Sequence, residues 1–198
     1  MGQAAELNSF EGRAKDAVRS SLSSSGSGAI LVGVVGDGKE ALALSEIRQA
    51  GASFWSIDLA SASASLSEMQ ILAALGGALV RRSLPDTLAD QDEWDADGSG
   101  ELPKALLISG LDALSSLGMG KALDWGVKAA AMGATPIFMS NVPIDCDPPS
   151  GFRVAARGDA VSHGLRSEEA GVQEDLSEES DFDADEPEIP QRRARPGV

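Results

Sequence analysis

Ala29-Ile30-Leu31-Val32, followed by Gly33-Val34-Val35-Gly36-Asp37-Gly38-Lys39-Glu40, is the stretch on which the fold turns. The unbroken apolar run reads as a strand buried on both faces and predicts a first strand over 29–35. The eight residues from Gly33 meet the pattern G-x-x-x-x-G-K-[ST] at Gly33, Gly38 and Lys39, with Glu40 where a Ser or Thr would hold Mg²⁺. The spacing has a purpose. Glycines let the backbone N–H groups of Val34, Val35, Gly36 and Asp37 curl around a phosphate, Lys39 adds positive charge, and the helix behind it offers its amino terminus to an anion. Glu40 works against this, because a carboxylate about 5 Å from a phosphate charge costs roughly 3 kcal/mol at an effective dielectric near 20. A Mg²⁺ between the two would reverse the sign, since carboxylate oxygen is a good ligand for a hard cation.

Outward from this stretch, strand and helix patterns alternate. Residues 4–22 predict an amphipathic helix, with Leu7, Phe10, Ala14, Val18 and Leu22 at three- and four-residue spacing, and a small-residue linker joins it to the strand. A helix is expected over 39–50 with Ala41, Leu42, Leu44 and Ile47 inward, ended by Gly51, and Ser53–Leu59 reads as the second strand. Ser65-Leu66-Ser67-Glu68 has the form of a capping box, opening a helix with Leu66, Met69, Leu72, Leu75 and Leu79 on one face. A polar, acidic connection over 83–103 leads to a third strand, Ala105–Ile108, then a helical stretch to Met132 with expected breaks at Gly118 and Gly120. Thr135–Ser140 and Phe152–Ala156 complete five strands. The alternation implies right-handed βαβ units and a mainly parallel sheet.

Charge divides the chain. Of its net −15, residues 167–198 contribute −8, from 3 basic and 11 acidic groups. This acidic tail, with little to bury, is expected to be disordered from residue 163 onward. The organisation expected is thus a helix over 1–24, an α/β domain over 25–162 and a tail over 163–198. No basic stripe with interleaved aromatics is present, so direct nucleic-acid binding is not expected, and the partners anticipated are proteins or further copies of the chain. No apolar run approaches the ~18 residues a membrane span requires. The lone Cys146 sets aside an internal disulfide framework and points to a reducing compartment, with the cytoplasm the default and a mitochondrial location left open. Flanked by Asp145 and Asp147, its thiol is expected to have a raised pKa and low reactivity. No secretory signal pattern opens the chain, and Glu6 replaces the Ser or Thr of a myristoylation signal.

In the order of its features, over roughly residues 25–160, the chain resembles the P-loop ATPases of the AAA+ and STAND-related group. Gly33 to Lys39 matches the Walker A loop, and Ala105–Ile108 stands where the Walker B strand would. Leu123–Asn141 with Phe152-Arg153-Val154 is also similar to the ATPase domain of the mitochondrial escape proteins. The resemblance implies a three-layer P-loop NTPase-like α/β domain, ATP or ADP with Mg²⁺ as cofactor, and a polar sensor role for Asn141 after the fourth strand. It also implies two acids after the Walker B strand, one for the metal and one for the attacking water, but Ser109 and Gly110 occupy those positions. Phosphoryl transfer depends on positioning, a metal and an oriented water. The expectation is therefore a degenerate P-loop domain with hydrolysis impaired or absent, no assigned catalytic residue, and a regulatory or scaffolding role. The helical lid of the AAA+ group would follow the fifth strand, where this sequence turns acidic instead.

Other readings stay open at this point. A working ATPase would need displaced groups: Asp112 or Glu40 on the metal, and Arg153 or Arg157 reaching a neighbour's phosphate. Gly33, Gly36 and Gly38 followed by Asp58 also suggest a dinucleotide fold with Asp58 on a ribose hydroxyl, although the order G-x-x-G-x-G departs from G-x-G-x-x-G. A glycine-rich turn that binds nothing is the plainest alternative. Asp95-Ala96-Asp97-Gly98-Ser99-Gly100 matches the start of an EF-hand loop, but Leu106 replaces its closing Glu, so an acidic surface loop is expected there. Ser180, before Asp181 and Asp183, has the acidic setting of a phosphorylation site.

Overall fold

Helix α1 (Gly2–Ser23) leads to strand β1 (Gly28–Val32), the first strand of the computed structural model, which describes residues 2–89 and 101–157. Then follow α2 (Lys39–Gln49), β2 (Phe54–Asp58), the short α3 (Leu59–Ser63) and α4 (Glu68–Arg81). After them come β3 (Ala105–Ser109), a 3₁₀ turn (Leu111–Ala113), α5 (Ser116–Ala131), β4 (Thr135–Ser140) and β5 (Phe152–Ala156). All four strand pairings are parallel, in the order β2-β3-β4-β1-β5. An α/β fold with a five-stranded parallel sheet is therefore observed as expected.

Period-two alternation sorts each strand between two apolar layers. Ala29, Leu31, Leu107, Ile137 and Met139 pack with Phe10, Ala14 and Val18 of α1 and Ala43, Leu44 and Ile47 of α2. Ile30, Val32, Ile57, Leu106, Ile108 and Phe138 pack with α3, α4 and α5. Burial of a Leu or Ile side chain stabilises by roughly 1.5–3 kcal/mol, so the doubly covered central strands anchor the domain. In α2, Glu46 is buried and receives a two-point ion pair from Arg19 of α1, which fastens the two helices together.

The topology itself locates a crevice. The chain leaves β1 through α2 on one face of the sheet, and it leaves β3 through α5 on the other. Connections diverge in this way at a topological switch point, and the crevice lies outside the carboxyl ends of the strands there.

Four local expectations are corrected. The first strand ends at Val32, not at residue 35: Val34 and Val35 are exposed loop residues, and their apolar character copies a strand without the burial of one. The cap of α4 is Ser67, whose backbone N–H donates to Gln70 Oε1 at 2.9 Å, two residues later than the Ser65 pattern. Accordingly Ile71, Leu75, Ala78 and Leu79 are buried, whereas Met69 is exposed. Helix α5 runs unbroken through Gly118 and Gly120, because the chain turns earlier, at Leu114 and Ser115. At Gly118 the glycine makes room: a Cβ would lie 2.5 Å from the Glu68 carboxyl carbon. In α2, Ala41 is exposed while Ala43 is buried. The side chain of Leu7, the Asp95–Gly100 loop, Ser180 and the acidic tail lie outside the described residues.

Candidate functional site

The loop after β1 is shaped by two glycines in the left-handed region, Gly36 (φ 79°) and Gly38 (φ 80°). Gly38 is also the N-cap of α2, so the helix begins immediately behind the loop with Lys39 and Glu40 in its first turn. The unpaired amides of a first helical turn favour an anion at that end. A cleft of about 1100 Å³ opens there, lined by the loop from Val35, by one side of α2 as far as Gln49, and by Ser109, Gly110 and Asn141 at the ends of β3 and β4. It exceeds the roughly 300–1,000 Å³ typical of small-molecule sites.

Lys39 is the centre of the arrangement. Its side chain is only 8% exposed, and its ammonium donates to Val34 O at 3.0 Å, Asp37 Oδ1 at 3.3 Å and Asn141 Oδ1 at 2.7 Å. Asn141 is fixed in turn by Asp112, whose Oδ1 accepts from the Asn141 backbone N–H at 3.1 Å and whose Oδ2 accepts from Asn141 Nδ2 at 3.3 Å. A polar chain Asp37–Lys39–Asn141–Asp112 thus ties together the segments that follow β1, β4 and β3. Asp37 closes the loop on itself: Val34 N donates to Oδ2 at 2.9 Å and Lys39 N to Oδ1 at 3.1 Å.

The structure brings Gly33–Glu40 and Asn141 to one place, and Asp112 with them. Ser109 and Gly110 end β3 at the cleft, and Gly110 has its own reason to be glycine. Its φ is +70°, and a Cβ would lie 2.6 Å from Ala60 N. An acid at that position would be strained and would collide with the start of α3. Asp58 is not part of the site. It caps α3, accepting from Ala60 N at 2.9 Å and Ser61 N at 3.1 Å. Moreover β2 is three strands from β1, roughly 14 Å at the usual strand spacing, so the geometry does not supply the ribose contact a dinucleotide fold needs. Arg153 pairs with Ala29, near the start of β1 and away from the loop, while Arg157 follows the end of β5 and donates its backbone N–H to Val32 O.

Spacing alone did not expose the Asp37 contacts, yet a signal was present. Asp-Gly dipeptides favour turns in which the carboxylate accepts from the N–H two residues on, and Asp37 accepts from Lys39 N in this way. The groups that would hold a phosphate here are the loop amides, the helix terminus and Lys39. Among the described residues no group of three or more His, Cys, Asp or Glu is placed to hold a metal ion. Nor, among them, is any helix long and apolar enough to cross a membrane. Elsewhere, Cys146 is half-buried, and desolvation, followed by the charges of Asp145, Asp147 and Asp124, raises its pKa. No protein-family model matches the chain, and no curated protein matches it.

Proposed function

We propose that this chain is a degenerate P-loop domain that binds the phosphates of a nucleotide, ATP or ADP, at Gly33–Glu40 and does not turn it over efficiently. In this reading it serves as a regulatory or scaffolding subunit. The observation that carries the proposal is the position of Lys39, an ammonium held beneath a glycine loop and a helix amino terminus at the switch point of a parallel sheet. Supporting the loss of turnover, Ser109 and Gly110 stand at the strand end where a metal ligand and a water-activating acid would be needed. Asp112 is the nearest substitute, but both its oxygens are engaged by Asn141.

Calorimetric titration with ATP and ADP, each with and without Mg²⁺, tests the reading against a Lys39→Ala control. Binding that disappears in the control supports it. Silence with both nucleotides sinks it. Turnover that collapses in both Lys39→Ala and Asp112→Ala would instead establish a working ATPase with a displaced acid.

A further inference from the structure

We propose that the Asp37 carboxylate is the resident anion of this loop, so that a phosphate enters only when Asp37 leaves; the inference rests on the phosphate-binding reading above. Asp37 takes what a phosphate would seek. It accepts from two loop amides, Val34 N and Lys39 N, and from the Lys39 ammonium, and its side chain is 1% exposed. The ammonium has three N–H donors and three acceptors around it, one of them Asp37, so its hydrogen-bonding capacity is filled without a ligand.

Gly33 supplies an independent observation. Its φ is not in the left-handed region, so its backbone conformation does not demand glycine. A Cβ there would lie 1.7 Å from Asp37 Oδ2, and the three nearest atoms it would meet all belong to Asp37. The first glycine of the motif therefore makes room for the protein's own carboxylate. The contact is autoinhibitory: an incoming phosphate meets a like charge and a saturated lysine, and binding requires Asp37 to swing out toward solvent. At about 5 Å and an effective dielectric near 20, such a repulsion amounts to roughly a few hundredfold in affinity.

The test titrates wild type, Asp37→Asn, Asp37→Ala and the double variant Asp37→Ala/Lys39→Ala with pyrophosphate and with ADP, in the absence of Mg²⁺. Circular dichroism and melting establish that each variant is folded. Asp37→Asn, which keeps the shape of the side chain and loses its charge, carries the test if Asp37→Ala does not fold. The expected result is pyrophosphate binding at least tenfold tighter in the Asp37 variants than in wild type, with the gain abolished in the double variant. If wild type ignores ADP while the Asp37 variants take pyrophosphate, the self-occupied loop stands and the nucleotide reading falls. If wild type binds ADP through Lys39 and the Asp37 variants bind no more tightly, the resident anion is refuted and the nucleotide reading stands. Silence from every folded variant overturns both.

Discussion

Gly33→Ala isolates the contact between the loop and its own carboxylate. Alanine suits the backbone at this position, so the cost of the substitution comes from the collision of its Cβ with Asp37 Oδ2. The carboxylate is the end of a side chain and can rotate away, but it then loses its bonds to Val34 N at 2.9 Å, Lys39 N at 3.1 Å and Lys39 Nζ at 3.3 Å. Hydrogen bonds to charged groups contribute about 1.5–3 kcal/mol each, and a carboxylate that reaches water recovers part of that sum. The net destabilisation expected is about 2–3 kcal/mol. In the Asp37→Ala background the obstacle is gone, and the same substitution should cost under about 1 kcal/mol. Urea denaturation of wild type, both single variants and the double variant measures the coupling, expected at about 1–2 kcal/mol. A coupling within about 0.5 kcal/mol of zero, the usual scatter for independent sites, would refute the assignment of Gly33 to Asp37.

Glu68 accepts from the Ser115 backbone and hydroxyl, which hold its pKa below the ordinary 4.5, so it stabilises the fold above that pH and loses the contribution as the pH falls through the lowered value. Glu68→Gln should therefore melt below wild type at pH 7, with the gap closing under acid; a gap constant with pH would count against this. Cys146 should alkylate slowly at pH 8, since burial and three neighbouring carboxylates raise its pKa above the ordinary 9.0; rapid labelling of the folded protein would contradict that. Trp125→Phe removes the indole bond to Leu75 O at 2.7 Å between α5 and α4 and should cost about 1–3 kcal/mol in chemical denaturation. Asp112→Ala leaves Asn141 without its anchor and should weaken any Lys39-dependent ligand binding in titration; unchanged affinity would show that Asn141 holds its place alone.

How legible the fold was depended on whether burial or local chemistry sets each boundary. Thr135–Ser140 and Phe152–Ala156 were read to the residue. The expected first strand runs three residues past the observed end at Val32, because Val34 and Val35 are apolar and yet exposed. The cap of α4 was displaced because Ser65 and Ser67 both offer a hydroxyl, and only the position of Gln70 decides between them. Helix α3 escaped notice: Leu59–Ser63 is too short for periodicity, and its cap, Asp58, looks like an acid at a strand end. In the site, the loop, Lys39 and Asn141 were visible as a pattern. Their partners were not, because Asp112 reaches Asn141 across 29 residues and Asp37 turns inward by an Asx-type bond that competes with any ligand.

The residues that suggest phosphate binding also hold the sheet's carboxyl edge together, and this bears on how the motif is to be weighed. Lys39 without its three acceptors would be a buried ammonium without compensation, a costly state. The lysine, once fixed there, therefore requires acceptors whether or not a ligand ever comes. Val34 O, Asp37 and Asn141 supply them, and Asp112 secures Asn141. Charge points the same way. Asp37 bonds Lys39 directly and Asp112 reaches it through Asn141, within a chain of net −15. Long-range attraction would thus contribute little to capturing an anion, and salt would screen most of the repulsion beyond about 8 Å. Whatever affinity the cleft has must come from short-range contacts, and two of the loop amides, Val34 N and Lys39 N, together with the Lys39 ammonium are already engaged by Asp37. Under the proposal above, a phosphate gains those contacts only as the carboxylate releases them. The presence of the glycine–lysine pattern is consequently a weaker guide to function than the state of residue 37.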